Sequence, residues 1–157
     1  MLHPSLKLFA DGRFVGHETT SGLLSFATAH LLKNPQTYLR AQKEVDDVIG
    51  KRSIEVKDLQ NLKYLNAVLR ETARLSPTVP VLQKQVNPAL AHEVVTVDNG
   101  RYRIEPDDYI VLLMSKCQTD PKVWGDNAHD FEPERMLDEN FDKVLAQYPG
   151  AWKVSST

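Results

Sequence analysis

One short stretch of the sequence places an acid, an imidazole and hydroxyls at the head of an apolar helix. Residues 15–26 are VGHETTSGLLSF, in which Glu18 is followed by Thr19 and Thr20. A carboxyl group beside hydroxyls can bind and pass on protons, which is the chemistry of a general acid. The same residue types suit a helix start, where they satisfy free backbone N–H groups, or a helix interior, where hydroxyls bond back to carbonyls and bend the helix. These residues alone leave the alternatives open.

A zinc protease site is excluded by the spacing of the same stretch. Such a site needs two histidines four residues apart on one helix, in the pattern H-E-x-x-H. His17 and Glu18 match its beginning, but Ser21 stands where the second histidine must be. We therefore predict no metal ligands in this stretch.

A second group of charged residues is suited to an internal ion pair. Glu71 and Arg74, in RETARLSP, lie three residues apart and share one helix face. On a surface such a pair contributes at most about 1 kcal/mol. The apolar helix and the Ser-Pro stop after it place Arg74 at a buried end, where a pair needs further hydrogen-bond partners. Arg135, in FEPERM (131–136), is the candidate third member, with Glu134 holding that loop.

The remaining pattern predicts an α+β fold with helix in excess. Helical periodicity and stop signals predict helices at 16–33, 35–49 and 62–75, with a short helical turn at 57–61. Short β-branched runs and a hairpin signal predict a small antiparallel sheet from 79–86, 93–97, 101–104 and 109–114, turning at 98–100. After a short helical piece near 121–125, the tail is predicted to be mostly loop.

Composition excludes several classes of function. The 157 residues are 41% hydrophobic and 25% charged with a net charge of −2, which is typical of a soluble domain and gives no reason to expect nucleic-acid binding. The longest apolar run, 109–114, is far too short to span a membrane, and the N-terminus has no secretory signal pattern. The single cysteine, Cys117, rules out an internal disulfide and fits a reducing, cytoplasmic location.

The order of the three motifs is more specific than any one of them. GHETT at the helix head, then ETAR in LKYLNAVLRETARLSPTVP, then FEPER in DPKVWGDNAHDFEPERMLDE resemble the cytochrome P-450 superfamily of haem-thiolate monooxygenases over residues 15–153. Within that superfamily, the residue pattern is most similar to that of fused, self-sufficient fatty-acid hydroxylases, in which a haem domain continues into a flavin reductase. The fold implied is the C-terminal half of that family's fold, mainly α with a small antiparallel β part.

The resemblance implies roles for the helix head over the haem iron. Thr19 matches the residue that hydrogen-bonds the iron-bound oxygen, and Glu18 matches the acid that relays protons. Gly16 matches the position that leaves room for oxygen and substrate. Val15 stands where the family usually has Ala, so a bulkier side chain faces the haem and the substrate.

The resemblance also implies a structural core, a substrate pocket and reaction partners. Glu71, Arg74 and Arg135 match the triad that holds the proximal side, whereas Val79 and Val81 match positions that line the substrate pocket, with Val79 also against the haem. The implied cofactor is haem. The implied partners are dioxygen, an apolar substrate such as a fatty acid and an NADPH-dependent flavin reductase, and no nucleic acid.

The iron ligand is the main departure from the family pattern. The family's loop F-x-x-G-x-R-x-C-x-G does not occur in the sequence, although GAWK (150–153) resembles the residues just before it. Cys117 has different neighbours and precedes FEPER, so we expect a structural or idle thiol rather than an iron ligand. The family's His-Arg before Asp is replaced by Gln118 and Thr119, which weakens a contact to the haem edge.

These departures lead to two competing hypotheses about the chain. Residues 1–14 do not resemble the first half of the family's distal helix, and 154–157 diverge from the pattern. We therefore expect a fragment, with 15–153 as a partial monooxygenase domain. The alternative is a non-catalytic remnant or helical interaction module without haem.

Overall fold

The structure is a computed structural model that describes residues 13–85, 94–105 and 107–152. The helices are α1 (Arg13–Lys33), α2 (Pro35–Val48), α3 (Lys63–Leu75), α4 (Met114–Cys117), α5 (Pro121–Trp124) and α6 (Asp138–Gln147), with 3-10 helices at Val56–Asn61 and Pro133–Met136. The strands are β1 (Val81–Gln85), β2 (Val95–Val97), β3 (Tyr102–Ile104) and β4 (Tyr109–Leu113). The predicted class, mainly α with a small antiparallel β part, is confirmed.

The first three long helices follow the sequence signals closely. Lys33 ends α1, and Pro35 occupies the first turn of α2, where its missing N–H costs nothing. Gly50, with a φ of 63°, lies just past the end of α2 in the left-handed conformation that favours glycine. Within the described residues, no helix combines the length and apolar character needed to cross a membrane.

The chain divides into two compact units, residues 79–114 and the remainder. In the larger unit, α3 contributes to two apolar clusters. The first contains Ala67, Trp124, Ala128, Met136 and Phe141, and the second contains Ala41, Tyr64 and Val68. Because α3 contributes to both, its side chains at the buried face are fixed by packing on more than one side.

Helix α6 corrects the predicted loop at the end of the chain. Asp138 and Glu139 lie in its first turn, where acids complement the helix dipole. Phe141 is buried, and the partly buried Val144 and Leu145 follow at helical spacing and pack against the same cluster. The helix was missed because its four apolar residues stand among Asp, Glu, Asn, Lys and Gln, a polar composition that is also common in loops.

The predicted sheet is two separate two-stranded sheets within residues 79–114. Strands β1 and β4 pair antiparallel with Val81 opposite Leu113, and β2 pairs with β3. The hairpin turn lies at the predicted place: Asn99 and Gly100 have φ values of 55° and 87°, and the Arg101 N–H donates to the Asp98 carbonyl over 3.1 Å. The last strand ends at Leu113, one residue earlier than predicted, because Met114 begins α4. Residues 86 and 93, each at one end of a predicted strand, lie outside the described residues.

Helix α1 has apolar side chains that the described residues leave open. Leu24, Phe26 and Leu32 are 54%, 44% and 73% exposed, whereas Ala27 is buried. Where α1 does pack, the contact is close: a Cβ added at Gly22 would lie 3.1 Å from Cγ2 of Thr78. Glycine at this position therefore lets the residue after α3 approach the α1 backbone.

Candidate functional site

The centre of the charged site is a buried two-point ion pair on α3. Nε of Arg74 donates to Oε2 of Glu71, and Nη2 donates to Oε1, each over 2.8 Å. Both side chains are 0% exposed. The spacing i, i+3 places them on one helix face, and the parallel pair of hydrogen bonds fixes the guanidinium plane.

Arg74 uses all of its donors. The guanidinium has five N–H groups. Besides the two bonds to Glu71, Nη1 donates to the carbonyl oxygens of Gln118 and Ala128, and Nη2 donates to that of Asp130. Because every donor is satisfied, this buried cation does not carry the penalty of an unpaired polar group.

Arg135 approaches the same carboxylate from the second 3-10 helix. Its Nε donates to Oε1 of Glu71 over 3.0 Å, and its side chain is 12% exposed. Its remaining N–H groups bond to the Trp124 carbonyl, to the backbone and side-chain oxygens of Asn127, and to the carboxylate of Glu132. The structure therefore brings together all three residues that the sequence proposed for this core.

Glu132 is a fourth member that the sequence analysis did not identify. Its carboxylate accepts from Nη2 of Arg135 over 3.1 Å, and its backbone N–H donates to Oε1 of Glu71 over 3.0 Å. With Glu71 and Glu132 opposite Arg74 and Arg135, two negative charges balance two positive ones. We refer to these four residues as the ion core. The i, i+3 spacing of Glu132 and Arg135 was the available signal.

Gln118 also has a role that the sequence did not reveal. It is 2% exposed, and its backbone carbonyl oxygen accepts a hydrogen bond from Nη1 of Arg74 over 2.8 Å. In the amide orientation that satisfies its neighbours, the side-chain nitrogen donates to the carbonyls of Arg74 and Ala73 over 3.0 and 3.1 Å. These carbonyls belong to the last turn of α3, which has no intrahelical donors for them, so Gln118 caps the end of that helix.

Glu134 holds the 3-10 helix through contacts outside the ion core. Its Oε1 accepts from Nη1 of Arg40 over 2.6 Å and from the hydroxyl of Tyr64 over 3.0 Å. The Arg40 guanidinium also lies 4.2 Å from the centre of the Tyr64 ring. Burial, together with the hydrogen bond to Glu134, raises the pKa of Tyr64 above its usual 10.0. The loop is therefore fixed to α2 and α3 as well as to Glu71.

The acid and hydroxyls of the first motif lie inside α1 rather than at its start. The helix begins at Arg13, so Gly16 and the residues after it have helical neighbours on both sides. The Thr20 hydroxyl donates to the Gly16 carbonyl over 2.8 Å, and Ser25 and Thr28 make the same bond to the residues four earlier. The capping interpretation is therefore wrong, since these hydroxyls satisfy carbonyls and not free N–H groups.

The proposed oxygen-handling residues are accessible on α1. Glu18 is exposed and Thr19 is half-buried. Among the described residues, nothing lies within 4 Å of a Cβ added at Gly16. The side chain of Val15 lies outside the described residues.

Val79 and Val81 belong to the smaller unit, at and just before β1. They are 40% and 46% exposed, and Val81 pairs with Leu113 in the sheet. Their pocket-lining role stays a prediction.

The described residues do not provide a site for the iron of a haem. Haem iron needs an axial ligand such as a cysteine thiolate. Cys117 is exposed and unpaired at the end of the four-residue helix α4. Across residues 13–85, 94–105 and 107–152, no three His, Cys, Asp or Glu side chains cluster in a way that could hold a metal ion. The donor set therefore does not fit haem by itself, whereas the ion core is complete without it.

The fold, the ion core and the motif order define a class of protein that comparison with known families identifies. The model of the cytochrome P450 family matches residues 8–149. The chain belongs to this family.

Several similar proteins carry names that join a cytochrome P450 to an NADPH–P450 reductase or call the enzyme self-sufficient. The chain is 54% identical over 139 residues to a bifunctional cytochrome P450/NADPH–P450 reductase of Aspergillus oryzae, covering 88% of the chain and 12% of the relative. It is 46% identical over 138 residues to a bifunctional enzyme of the same description from Acremonium egyptiacum, covering 88% and 13%. It is 45% identical over 138 residues to a self-sufficient cytochrome P450 monooxygenase of Phanerodontia chrysosporium, covering 88% and 12%. The chain thus spans about an eighth of the length of these relatives.

Proposed function

We propose that this chain is the part of a haem-dependent monooxygenase that carries the oxygen-facing helix and the ion core. The observation that supports this most strongly is the buried contact of Glu71 with Arg74 and Arg135, which joins two motifs far apart in sequence. Such a network is costly unless every donor is satisfied, and here each guanidinium has an acceptor for each N–H. The substrate is an apolar molecule, with a fatty acid as our specific proposal.

Within this proposed function, Glu18 and Thr19 have two different roles on α1. Neighbouring helix residues point about 100° apart, so the two side chains do not face one spot. Half-buried Thr19 would donate a hydrogen bond to dioxygen in the site, and exposed Glu18 would take protons from water and pass them inward. Gly16 leaves the room that both steps need. Haem, when bound, supplies the oxygen-activating chemistry.

The proposed partners follow from the relatives and from the apolar positions. The names of the fungal relatives include an NADPH–P450 reductase, so we propose that a flavin reductase of this type supplies the electrons. Val15, Val79 and Val81 would line the substrate pocket, and Val79 would also contact the haem. Branched apolar side chains of this kind suit a hydrocarbon chain without polar groups.

A second candidate function is supported by the donor set. Among the described residues, none is placed as an axial thiolate, because the single cysteine is exposed on a four-residue helix. A chain without that ligand would be a non-catalytic module whose ion core serves only stability. The two candidates differ in whether the oxygen-facing residues have a measurable effect on chemistry.

A segment exchange tests the first proposal. Residues 13–149 of this chain would replace the matching stretch of the Aspergillus oryzae relative, which is 54% identical. We expect the hybrid to show the reduced carbon-monoxide Soret band of thiolate-ligated haem and NADPH-dependent hydroxylation of a fatty acid. In the hybrid, Thr19→Ala should raise the peroxide released per hydroxylated product. The matched control is Thr28→Ala, which removes a hydroxyl-to-carbonyl bond from the same helix and should leave this ratio unchanged.

Three outcomes of this experiment bear on the two candidates. In a hybrid that folds and binds haem, Thr19→Ala should change the ratio of peroxide to hydroxylated product. An unchanged ratio would overturn the oxygen-facing role of α1. A hybrid that folds but binds no haem would favour the non-catalytic module. A band with fatty-acid turnover would support the monooxygenase.

A further inference from the structure

His30 lies where the oxygen-facing helix meets two elements of the ion core. Its Nε2 is 3.0 Å from Oγ of Ser76, the residue that caps the end of α3. Its ring stacks on Phe131, with centroids 4.5 Å apart and planes 8° apart. Phe131 directly precedes Glu132 of the ion core. One imidazole therefore contacts α3 and the loop of the third motif from a position on α1.

The backbone at His30 is held as firmly as the ring. The His30 carbonyl accepts two hydrogen bonds from Asn34. One comes from the Asn34 backbone N–H over 3.1 Å, and the other from its side-chain Nδ2 over 2.8 Å. These bonds close the end of α1 and orient the last turn that carries the imidazole. The ring is therefore presented to Ser76 and Phe131 by a fixed helix end.

The charges around His30 favour the neutral ring. Burial lowers the pKa of His30 below its usual 6.5, and Lys33 on the same helix lowers it further. Glu71 on α3 acts in the opposite direction, as the smallest of the three effects. From the third element the ring meets the uncharged face of Phe131.

We propose that His30 is a positioning residue whose neutral imidazole holds the oxygen-facing helix α1 on the ion core and whose protonation loosens that contact. The assignment of α1 to oxygen rests on the proposed function, whereas the contact itself does not. Because the undocked ring binds protons more readily than the docked one, docking is fully stabilised above the ordinary pKa of 6.5. It weakens as the pH falls below that value, until the docked ring is also protonated.

An imidazole titration of the 157-residue chain tests the proposal directly. We expect the His30 signals in long-range proton–nitrogen spectra to titrate with a midpoint below the ordinary pKa of 6.5. A midpoint at or above 6.5 would overturn the proposal.

Variants separate positioning from simple packing. His30→Phe keeps a ring to stack on Phe131 but removes both Nε2 and the titration. Hydrogen exchange of the α1 amides, corrected for its intrinsic pH dependence, should lose protection in the unmodified chain between about pH 7 and pH 5, where histidine titrates. His30→Phe should remove this pH dependence, and the control His17→Phe, on the same helix, should retain it.

A second contact variant keeps the test independent of folding losses. Ser76→Ala removes the partner of Nε2 and leaves the stacking intact, so we expect the His30 titration to move while Phe131 contacts persist. Unchanged pH dependence in His30→Phe, or an unmoved titration in Ser76→Ala, would contradict the positioning role. Because neither experiment needs haem, their failure is distinguishable from a failure of the segment exchange.

Discussion

Removing the Glu71 carboxylate should destabilise the chain more than any change to a surface charge. Glu71→Ala takes away two of the five acceptors of Arg74, which is 0% exposed and cannot turn to water. Arg135 loses one acceptor and keeps the others. Breaking a buried ion pair by removing one partner costs about 3–5 kcal/mol. Most of that cost should come from Arg74, because it is the more deeply buried cation.

Hydrogen exchange at the amides of α3 measures this cost locally. An opening free energy lowered by about 3–5 kcal/mol should reduce protection by roughly 10²–10⁴-fold, or to none where the native protection is smaller. The matched control is Asp47→Ala, which removes a solvent-exposed partner of Lys43 on α2 and should cost at most about 0.5 kcal/mol. A loss of less than tenfold in Glu71→Ala, or equal losses in both variants, would refute the argument that the ion core holds α3.

Three further predictions concern charge, capping and exposed apolar surface. Arg52 and the backbone N–H of Glu55 hold the pKa of Asp58 at about 2, below its usual 3.8. The stability that this contact contributes should therefore be complete above pH 3.8 and should disappear as the pH falls through about 2. A carboxyl carbon titration checks this, and a midpoint near 3.8 would contradict it. Glu44 accepts from the N–H groups of Tyr64 and Leu65 at the start of α3. Glu44→Ala should therefore lower the opening free energy of the α3 amides, measured by hydrogen exchange, by about 0.5–2 kcal/mol, and no change would disprove the capping role. The exposed apolar side chains of α1 should bind a hydrophobic dye, and the isolated chain should lack a sharp cooperative unfolding transition. A monomer that binds no dye and unfolds in one sharp transition would contradict this prediction.

The sequence predicted the pairing within α3 because it depends only on helix geometry. A spacing of three residues places Glu71 and Arg74 on one face in any α-helix, and the apolar neighbours indicated burial. The carbonyls of Gln118, Ala128 and Asp130 could not be predicted. These three residues are 44 to 56 positions away from Arg74 in sequence. Their carbonyls lie beside Arg74 only because of the path of the chain between 118 and 130, which backbone hydrogen bonding and packing determine together.

Other differences have local causes. In helix α1, which begins at Arg13, the Thr20 hydroxyl bonds back to the Gly16 carbonyl, an alternative that the residue types left open. Helix α6 is set by Phe141 packing on the core cluster and on Trp152 at 5.4 Å, a tertiary contact that a polar composition conceals. His30 was not singled out from the sequence, because its partners Ser76 and Phe131 lie on two other elements.

The reduced carbon-monoxide spectrum of the purified 157-residue chain with added haem tests the central claim most directly. The ion core and helix α1 are present, but no described residue is placed as an axial thiolate. We therefore predict that the chain alone does not give the Soret band of thiolate-ligated haem. A clear band of that kind, lost in Cys117→Ser, would contradict the account and identify Cys117 as the iron ligand.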